Sequence, residues 1–119
     1  MTQSLEDYLE TIYILIGEDR PAQVRDVAKL LDVKMPSVVK AIHELKKLGL
    51  VTQEPYANIE LTEKGKRVAR LVLNRHKLLC SFLMKLGVSR KAADNDACLM
   101  EHILSAETLD KIRLYTEKN

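Results

Sequence analysis

Six side chains that can bind a metal occur in three short stretches of the chain. They are Asp7 and Glu10, then His76, then Cys98, Glu101 and His102. In the third stretch, offsets of three and four residues predict that a thiol, a carboxylate and an imidazole share one stripe of a helix. Asp7 and Glu10, three residues apart, would do the same on another helix. A fold that brings the stretches together would make a site with oxygen, nitrogen and sulfur ligands.

Taken singly, each of these ligands has an ordinary explanation: a helix cap, a surface charge, a hydrogen-bonded histidine or a small core cysteine. The joint prediction is stronger because three separate helices contribute donors. In addition, residues 1–22 carry five acidic side chains against the single Arg20, and a cation would relieve their repulsion. Carboxylates with imidazole and one thiolate favour Mn²⁺ or Fe²⁺ in six-coordinate geometry, while Zn²⁺ could also bind in vitro.

Length and composition predict a small intracellular protein. The chain has 119 residues, of which 46% are hydrophobic, so it can build its own core. No apolar run approaches the roughly 20 residues that cross a bilayer, and the first residues do not resemble a secretory leader. We therefore expect a cytoplasmic location without membrane association. The two cysteines, Cys80 and Cys98, are expected to be free thiols or ligands rather than a disulfide.

Charge is unevenly distributed along the chain, although the net charge is only +2. Residues 23–49 carry six basic side chains against three acidic ones, and residues 50–88 carry seven against three. The middle of the chain is therefore basic while its start is acidic. This distribution favours contact with a polyanion through the middle of the chain.

Hydrophobic spacing predicts a mostly α fold. The predicted helices cover residues 5–16, 24–31, 36–48, 62–86 and 89–104, and a sixth begins after Ser105. Residues 50–61 have the alternating pattern of a short hairpin. Ser4, with Asp7 three residues later, predicts a cap for the first helix, and Gly65 is expected to weaken the fourth slightly.

The second and third helices with the hairpin behind them predict a winged helix-turn-helix, whose second helix lies in the major groove of DNA. The apolar stripe of that helix is predicted to be Val38, Val39, Ile42, Leu45 and Leu48. Lys34, Ser37 and Lys40 lie off this stripe and can reach bases or phosphates, and Pro36 can press on a thymine methyl. Arg25 is a candidate phosphate contact. Two alternatives remain open: a solvated lysine face, and a helical module that binds another protein.

Several segments together resemble the diphtheria toxin repressor and manganese transport regulator family of metal-dependent repressors. They are Leu5-Glu6-Asp7-Tyr8-Leu9-Glu10-Thr11-Ile12-Tyr13, the helix-turn-helix through Gly49-Leu50-Val51, Leu61-Thr62-Glu63-Lys64-Gly65, Arg75-His76 and Glu101-His102. The resemblance implies a homodimer with a DNA-binding domain over residues 1–62, whose first helix also supplies metal ligands. Residues 63–119 would form a helical dimerisation and metal-binding domain. It also implies the short form of the family, which lacks the SH3-like domain.

The resemblance makes the metal site a hybrid. Asp7 and Glu10 match the manganese-responsive type, whereas Cys98 stands where that type has a glutamate and the iron-responsive type has a cysteine. Cys80 stands where members of the family usually have a glutamate.

The function predicted from these observations is repression of metal-uptake genes, with Mn²⁺ or Fe²⁺ promoting binding of a homodimer to a palindromic operator. An enzyme is not expected, because no nucleophile with its base and no phosphate loop accompanies the ligands. The alternatives are a metal-independent winged-helix regulator that senses a small molecule and, less favoured, a small metalloenzyme.

Overall fold

The computed structural model describes residues 1–55 and 57–118, apart from the side chain of Gln3. Over these residues the chain forms six helices and one two-stranded sheet, which confirms the predicted mostly α class. The elements are α1 (Gln3–Gly17), α2 (Val24–Leu31), α3 (Met35–Lys47), β1 (Val51–Thr52), β2 (Glu60–Leu61), α4 (Glu63–Lys85), α5 (Arg90–Met100) and α6 (Ala106–Lys118). In the described part of the chain, no helix is both long and apolar enough to cross a membrane.

The chain divides into two compact units, Met1–Arg70 and Leu71–Asn119. This division falls inside α4, a few residues after the start of that helix. The predicted domain boundary after residue 62 remains a prediction.

The core of the first unit lies between α1, α2 and α3. Its largest fully buried side chains include Leu9, Ile12 and Leu15 of α1, which recur at helical spacing. Thr2 begins α1, because its Oγ1 accepts a hydrogen bond of 3.2 Å from the backbone N–H of Leu5. The predicted cap at Ser4 is therefore wrong, since the helix begins at Gln3, two residues earlier than that cap would allow.

The turn of the helix-turn-helix is short because Asp32 ends α2 in the left-handed region, with φ of 53°. An aspartate tolerates this conformation better than most residues. Pro36 then lies in the first turn of α3, where its missing N–H costs no helical hydrogen bond. The predicted helix-turn-helix is confirmed.

The buried face of α3 differs from the prediction at two positions. Val38, Ile42 and Leu45 are buried as expected, and Ala41 joins them. Val39 and Leu48 are 55% and 43% exposed, so their assignment to the apolar stripe is wrong. Offsets of three and four residues connect positions 38, 41, 42 and 45. Position 39 is rotated by about 100° from position 38 and lies outside this buried face.

The hairpin that follows α3 forms the predicted wing. β1 pairs with β2 in antiparallel fashion, with Val51 opposite Leu61. The backbone N–H of Ile59 donates a 2.8 Å hydrogen bond to the carbonyl of Ala22, which ties the wing to the connection before α2. Tyr56, at the tip of the predicted hairpin, lies outside the described residues.

Gly65 is required where α4 begins. The hydroxyl of Thr62 accepts a 3.0 Å hydrogen bond from the N–H of Gly65 and donates one of 2.7 Å to the carbonyl of Gly49. At this close approach a Cβ on Gly65 would lie 2.0 Å from the carbonyl oxygen of Leu50. The sequence suggested only a weak helix position, whereas the structure shows that a larger residue does not fit.

In the second unit, α4 continues and is followed by α5 and α6. Ser89 caps α5 by accepting a 3.3 Å hydrogen bond from the N–H of Ala92. Ser105 caps α6, as predicted, by accepting a 3.2 Å hydrogen bond from the N–H of Thr108. However, α5 ends at Met100, four residues before the predicted end. The residues after Met100 therefore form a turn.

We predict that Gly65→Ala lowers the free energy of unfolding by about 1–3 kcal/mol, because the new methyl group meets backbone that cannot move without shifting the wing. Urea denaturation followed by circular dichroism measures this change. Gly17→Ala is the matched control, since a Cβ at Gly17 has no atom within 4 Å among the described residues. An equal midpoint for Gly65→Ala and the natural protein would contradict the prediction.

Candidate metal centre and nucleic-acid interface

The side chain of Glu101 lies between two histidines. Its Oε2 is 3.1 Å from Nδ1 of His76, and its Oε1 is 3.2 Å from Nε2 of His102. The Glu101 side chain is 0% exposed and that of His102 only 2%. His76 is presented by α4, while Glu101 and His102 lie in the turn after α5. Three potential ligands thus meet in the interior of the second unit.

Burial of a carboxylate is costly unless charge or hydrogen bonds compensate for the lost water. The Nδ1 atom of His76 forms no hydrogen bond with any described residue, although it is 3.1 Å from a carboxylate oxygen. A ring nitrogen and a carboxylate oxygen that face each other in this way can both direct lone pairs at one cation. A divalent ion would supply the compensating charge.

The carboxylate of Asp94 approaches one of the two ring nitrogens of His76. Its Oδ1 lies 2.8 Å from Nε2 of His76, on the side of the ring away from Glu101. A carboxylate at this distance favours a proton on Nε2, which leaves the lone pair on Nδ1 for a metal. Asp94 was absent from the predicted site. The offsets of four to Cys98 and seven to Glu101 on the same helical stripe were a usable signal for it.

Cys98 adds a sulfur donor. One donor atom each from His76, Cys98 and Glu101 lie within 4.8 Å of one another. Cys98 is exposed and Cys80 is partly buried, and the two do not form a disulfide with each other. The predicted helical stripe is only partly right, because the helix carries Cys98 but ends before Glu101. Oxygen, nitrogen and sulfur donors nevertheless meet in one place, so the residues fit a divalent transition metal.

The predicted DNA-contacting residues are exposed on the helix-turn-helix. They are Arg25 in α2, Lys34 at the cap of α3, and Pro36, Ser37 and Lys40 in its first two turns. An outward line with offsets of four, three and four runs through Pro36, Lys40, His43 and Lys47, all of which are exposed. His43 was missing from the prediction, although the same offsets pick it out. The structure thus presents a largely basic, accessible face on α3.

Both halves of the chain match protein-family models. Residues 1–59 match "Iron dependent repressor, N-terminal DNA binding domain", and residues 62–118 match "Iron dependent repressor, metal binding and dimerisation domain". The chain belongs to this family of metal-dependent transcriptional repressors. The resemblance to the diphtheria toxin repressor and manganese transport regulator family is therefore confirmed.

Individual relatives agree with the family assignment. An uncharacterized HTH-type transcriptional regulator of Methanocaldococcus jannaschii is 44% identical over 120 residues, which cover 99% of this chain and 96% of the relative. The transcriptional regulator MntR of Escherichia coli O6:H1 is 40% identical over 97% of this chain and 74% of its own length. The manganese regulator SloR has a similar structure, with a TM-score of 0.87 and 28% identity over all of this chain. The present chain therefore spans only 56% of the length of the SloR chain.

Asp7 and Glu10 of the present chain lie on α1 in the first unit, and both are partly buried. The backbone carbonyl of Asp7 accepts a 2.9 Å hydrogen bond from the hydroxyl of Thr11, and its carboxylate remains a candidate ligand. Their membership of the metal site stays a prediction, as do the roles of the other predicted site residues.

We predict that Asp94→Asn weakens divalent metal binding by about 10- to 100-fold, because His76 loses the carboxylate that orients its ring. Competition with a fluorescent metal indicator measures the dissociation constant. Asp96→Asn is the control, because Asp96 is an exposed aspartate on another face of the same helix. Equal affinities for the two variants would show that Asp94 does not support the ligand.

Proposed function

We propose that the chain acts in the cytoplasm as a homodimeric repressor of metal-uptake genes, and that Mn²⁺ or Fe²⁺ activates its binding to operator DNA. The observation that carries this proposal is the buried carboxylate of Glu101 with an imidazole on each side, in the same chain as an exposed basic winged helix. The manganese regulator SloR, which has the same fold, supports manganese as one activator. Zn²⁺ is expected to bind in vitro as well, because intrinsic affinity does not select the weaker-binding metals.

In this proposal the ion is held by His76, Cys98, Glu101 and His102, and Asp7 and Glu10 complete the ligand set. The last two are one helical turn apart on an acidic helix, so both carboxylates can face one ion. When bound, the ion would supply positive charge next to these carboxylates. Asp94 acts through His76 and is a positioning residue.

The DNA contacts divide by chemistry. Arg25 and Lys34 are suited to phosphates, which fix position without reading sequence. Ser37 and Lys40 are suited to base edges or nearby phosphates, and Pro36 to a thymine methyl. In a dimer with two-fold symmetry, the two copies of α3 would enter successive major grooves roughly 34 Å apart, so the operator would be palindromic.

The proposed switch is a shift in population between arrangements of the two reading helices. Without metal, the carboxylates of Asp7, Glu10 and Glu101 repel each other, and arrangements that do not match the operator are populated. Metal binding favours the matching arrangement, and the coupling is expected to be about 1–3 kcal/mol. We infer that no reaction is catalysed, since charge compensation alone accounts for the roles of these residues.

We predict that operator binding by the natural protein strengthens by about 5- to 150-fold in Mn²⁺ or Fe²⁺ relative to chelator, which is the range of that coupling. Glu101→Gln is expected to abolish the difference, because a neutral amide does not replace the buried negative ligand. Electrophoretic mobility shift under anaerobic conditions, with duplexes selected from a random library, measures both. Glu107→Gln, at an exposed glutamate in α6, is the control and should respond to metal like the natural protein.

Equal binding in chelator and in metal would reject the proposal. It would favour the metal-independent regulator that senses a small molecule. If Glu101→Gln loses metal binding but its DNA binding is unchanged, metal bound at this site does not control DNA binding.

Cys98→Glu is predicted to shift activation toward Mn²⁺, because a carboxylate is a harder donor than a thiolate. The measurement is the metal concentration that gives half-maximal operator binding, titrated separately with Mn²⁺ and with Fe²⁺. The ratio of the two concentrations should move in favour of Mn²⁺ relative to the natural protein. Cys80→Ala controls for loss of a thiol elsewhere, and an unchanged ratio in Cys98→Glu would reject the assignment.

A further inference from the structure

The first half of α3 exposes apolar side chains beside its lysines. Met35 is 50% exposed and Val39 is 55% exposed, and the exposed Pro36 lies within one turn of Val39. The four-residue offset from Met35 to Val39 and the three-residue offset from Pro36 to Val39 make these neighbours on the helix surface. Together they form an apolar strip, which we define as Met35, Pro36 and Val39.

Stability does not explain the valine in this strip. Val39 lies outside the group of residues that form the core of the first unit. A β-branched side chain on an exposed helix face also loses rotamer freedom, so alanine or lysine would favour the helix more. A single exposed apolar residue is ordinary on a protein surface. Here three adjoin on the second helix of the helix-turn-helix, which in this motif lies in the major groove of DNA.

The surroundings of the strip indicate its occupant. Lys34, Lys40 and Lys46 are exposed on the same helix or at its cap, so the strip lies within a positive surface. This charge favours a polyanion over an apolar protein surface. In the major groove of DNA, the apolar group that a base presents is the C5-methyl of thymine.

We propose that Val39 is a specificity-determining residue that contacts the C5-methyl of one thymine in each operator half-site. This inference rests on the proposed function, because it assumes that α3 enters the major groove. It adds a second apolar contact to the one proposed for Pro36. The operator is therefore expected to contain a thymine that is recognised without a hydrogen bond.

Substitution of thymine by uracil, which removes only the methyl group, tests the contact. A duplex selected with the natural protein in Mn²⁺ is remade with uracil at one thymine at a time, and affinity is measured by mobility shift. Loss of a buried methyl contact should weaken binding by about fourfold. We expect this loss for the natural protein at one or more thymines in each half-site. In Val39→Ala, at least one of these thymines should no longer be sensitive to uracil.

Two controls separate this effect from folding. Leu30→Ala removes a 50% exposed apolar side chain from α2 and should leave the uracil pattern unchanged. Val39→Ala should unfold at the same or a higher denaturant concentration than the natural protein, since alanine favours the helix. Val39→Thr keeps the shape of the side chain but has one methyl group fewer. Uracil at the same thymine should therefore still weaken binding by this variant, but by less than it weakens binding by the natural protein.

The possible failures are distinguishable. If the natural protein binds selected DNA only with metal but no thymine is sensitive to uracil, or if Val39→Ala keeps every sensitive thymine, the contact is wrong while the proposed function stands. A large loss of stability in Val39→Ala would also overturn the inference, because it would assign Val39 to packing. If no duplex is bound in a metal-dependent way, both the proposed function and this inference fail.

Discussion

The burial of one carboxylate between two imidazoles is the constraint on which the candidate metal centre depends. Glu101 has no exposed surface, and its two oxygens lie 3.1 and 3.2 Å from ring nitrogens of His76 and His102. Burial of a carboxylate opposes folding unless nearby charge, a proton or hydrogen bonds compensate for the lost water. Because α5 ends at Met100, Glu101 and His102 approach their neighbours from the turn that follows this helix.

In the first unit, the main structural requirement is that α3 keeps a fixed orientation relative to the wing. Hydrogen bonds between segments distant in sequence do this. The backbone N–H of Ile59 donates to the carbonyl of Ala22, and the hydroxyl of Thr62 donates to the carbonyl of Gly49. The close approach of Gly65 to Leu50 at the start of α4 leaves no room for a side chain. As a result, the charged and apolar side chains of α3 project from a rigid support rather than from a mobile loop.

Much of the candidate site could be predicted from the sequence, because potential metal ligands can be recognised from their residue types and short spacings. Cys98, Glu101 and His102 could be recognised as ligands without knowing that the helix ends between them. Asp94 and His43 also lie at helical offsets from predicted site residues, but such residues are common on exposed helix faces. For Asp94, only its contact with His76 in the structure singles it out. Val39 was assigned to the core because it is hydrophobic and follows Val38. Val38 is buried, but helical geometry places Val39 at the surface.

The sequence alone determined the order of the helices and the wing, the basic middle of the chain and the set of potential ligands. These properties depend on periodicity, caps and composition, which act over a few residues. The tertiary structure alone decided that Glu101 is fully buried, that Asp94 meets the far nitrogen of His76, and that Gly65 admits no side chain. Each of these results from packing between segments far apart in the chain, where an ångström of displacement changes the contact and no local pattern records the distance.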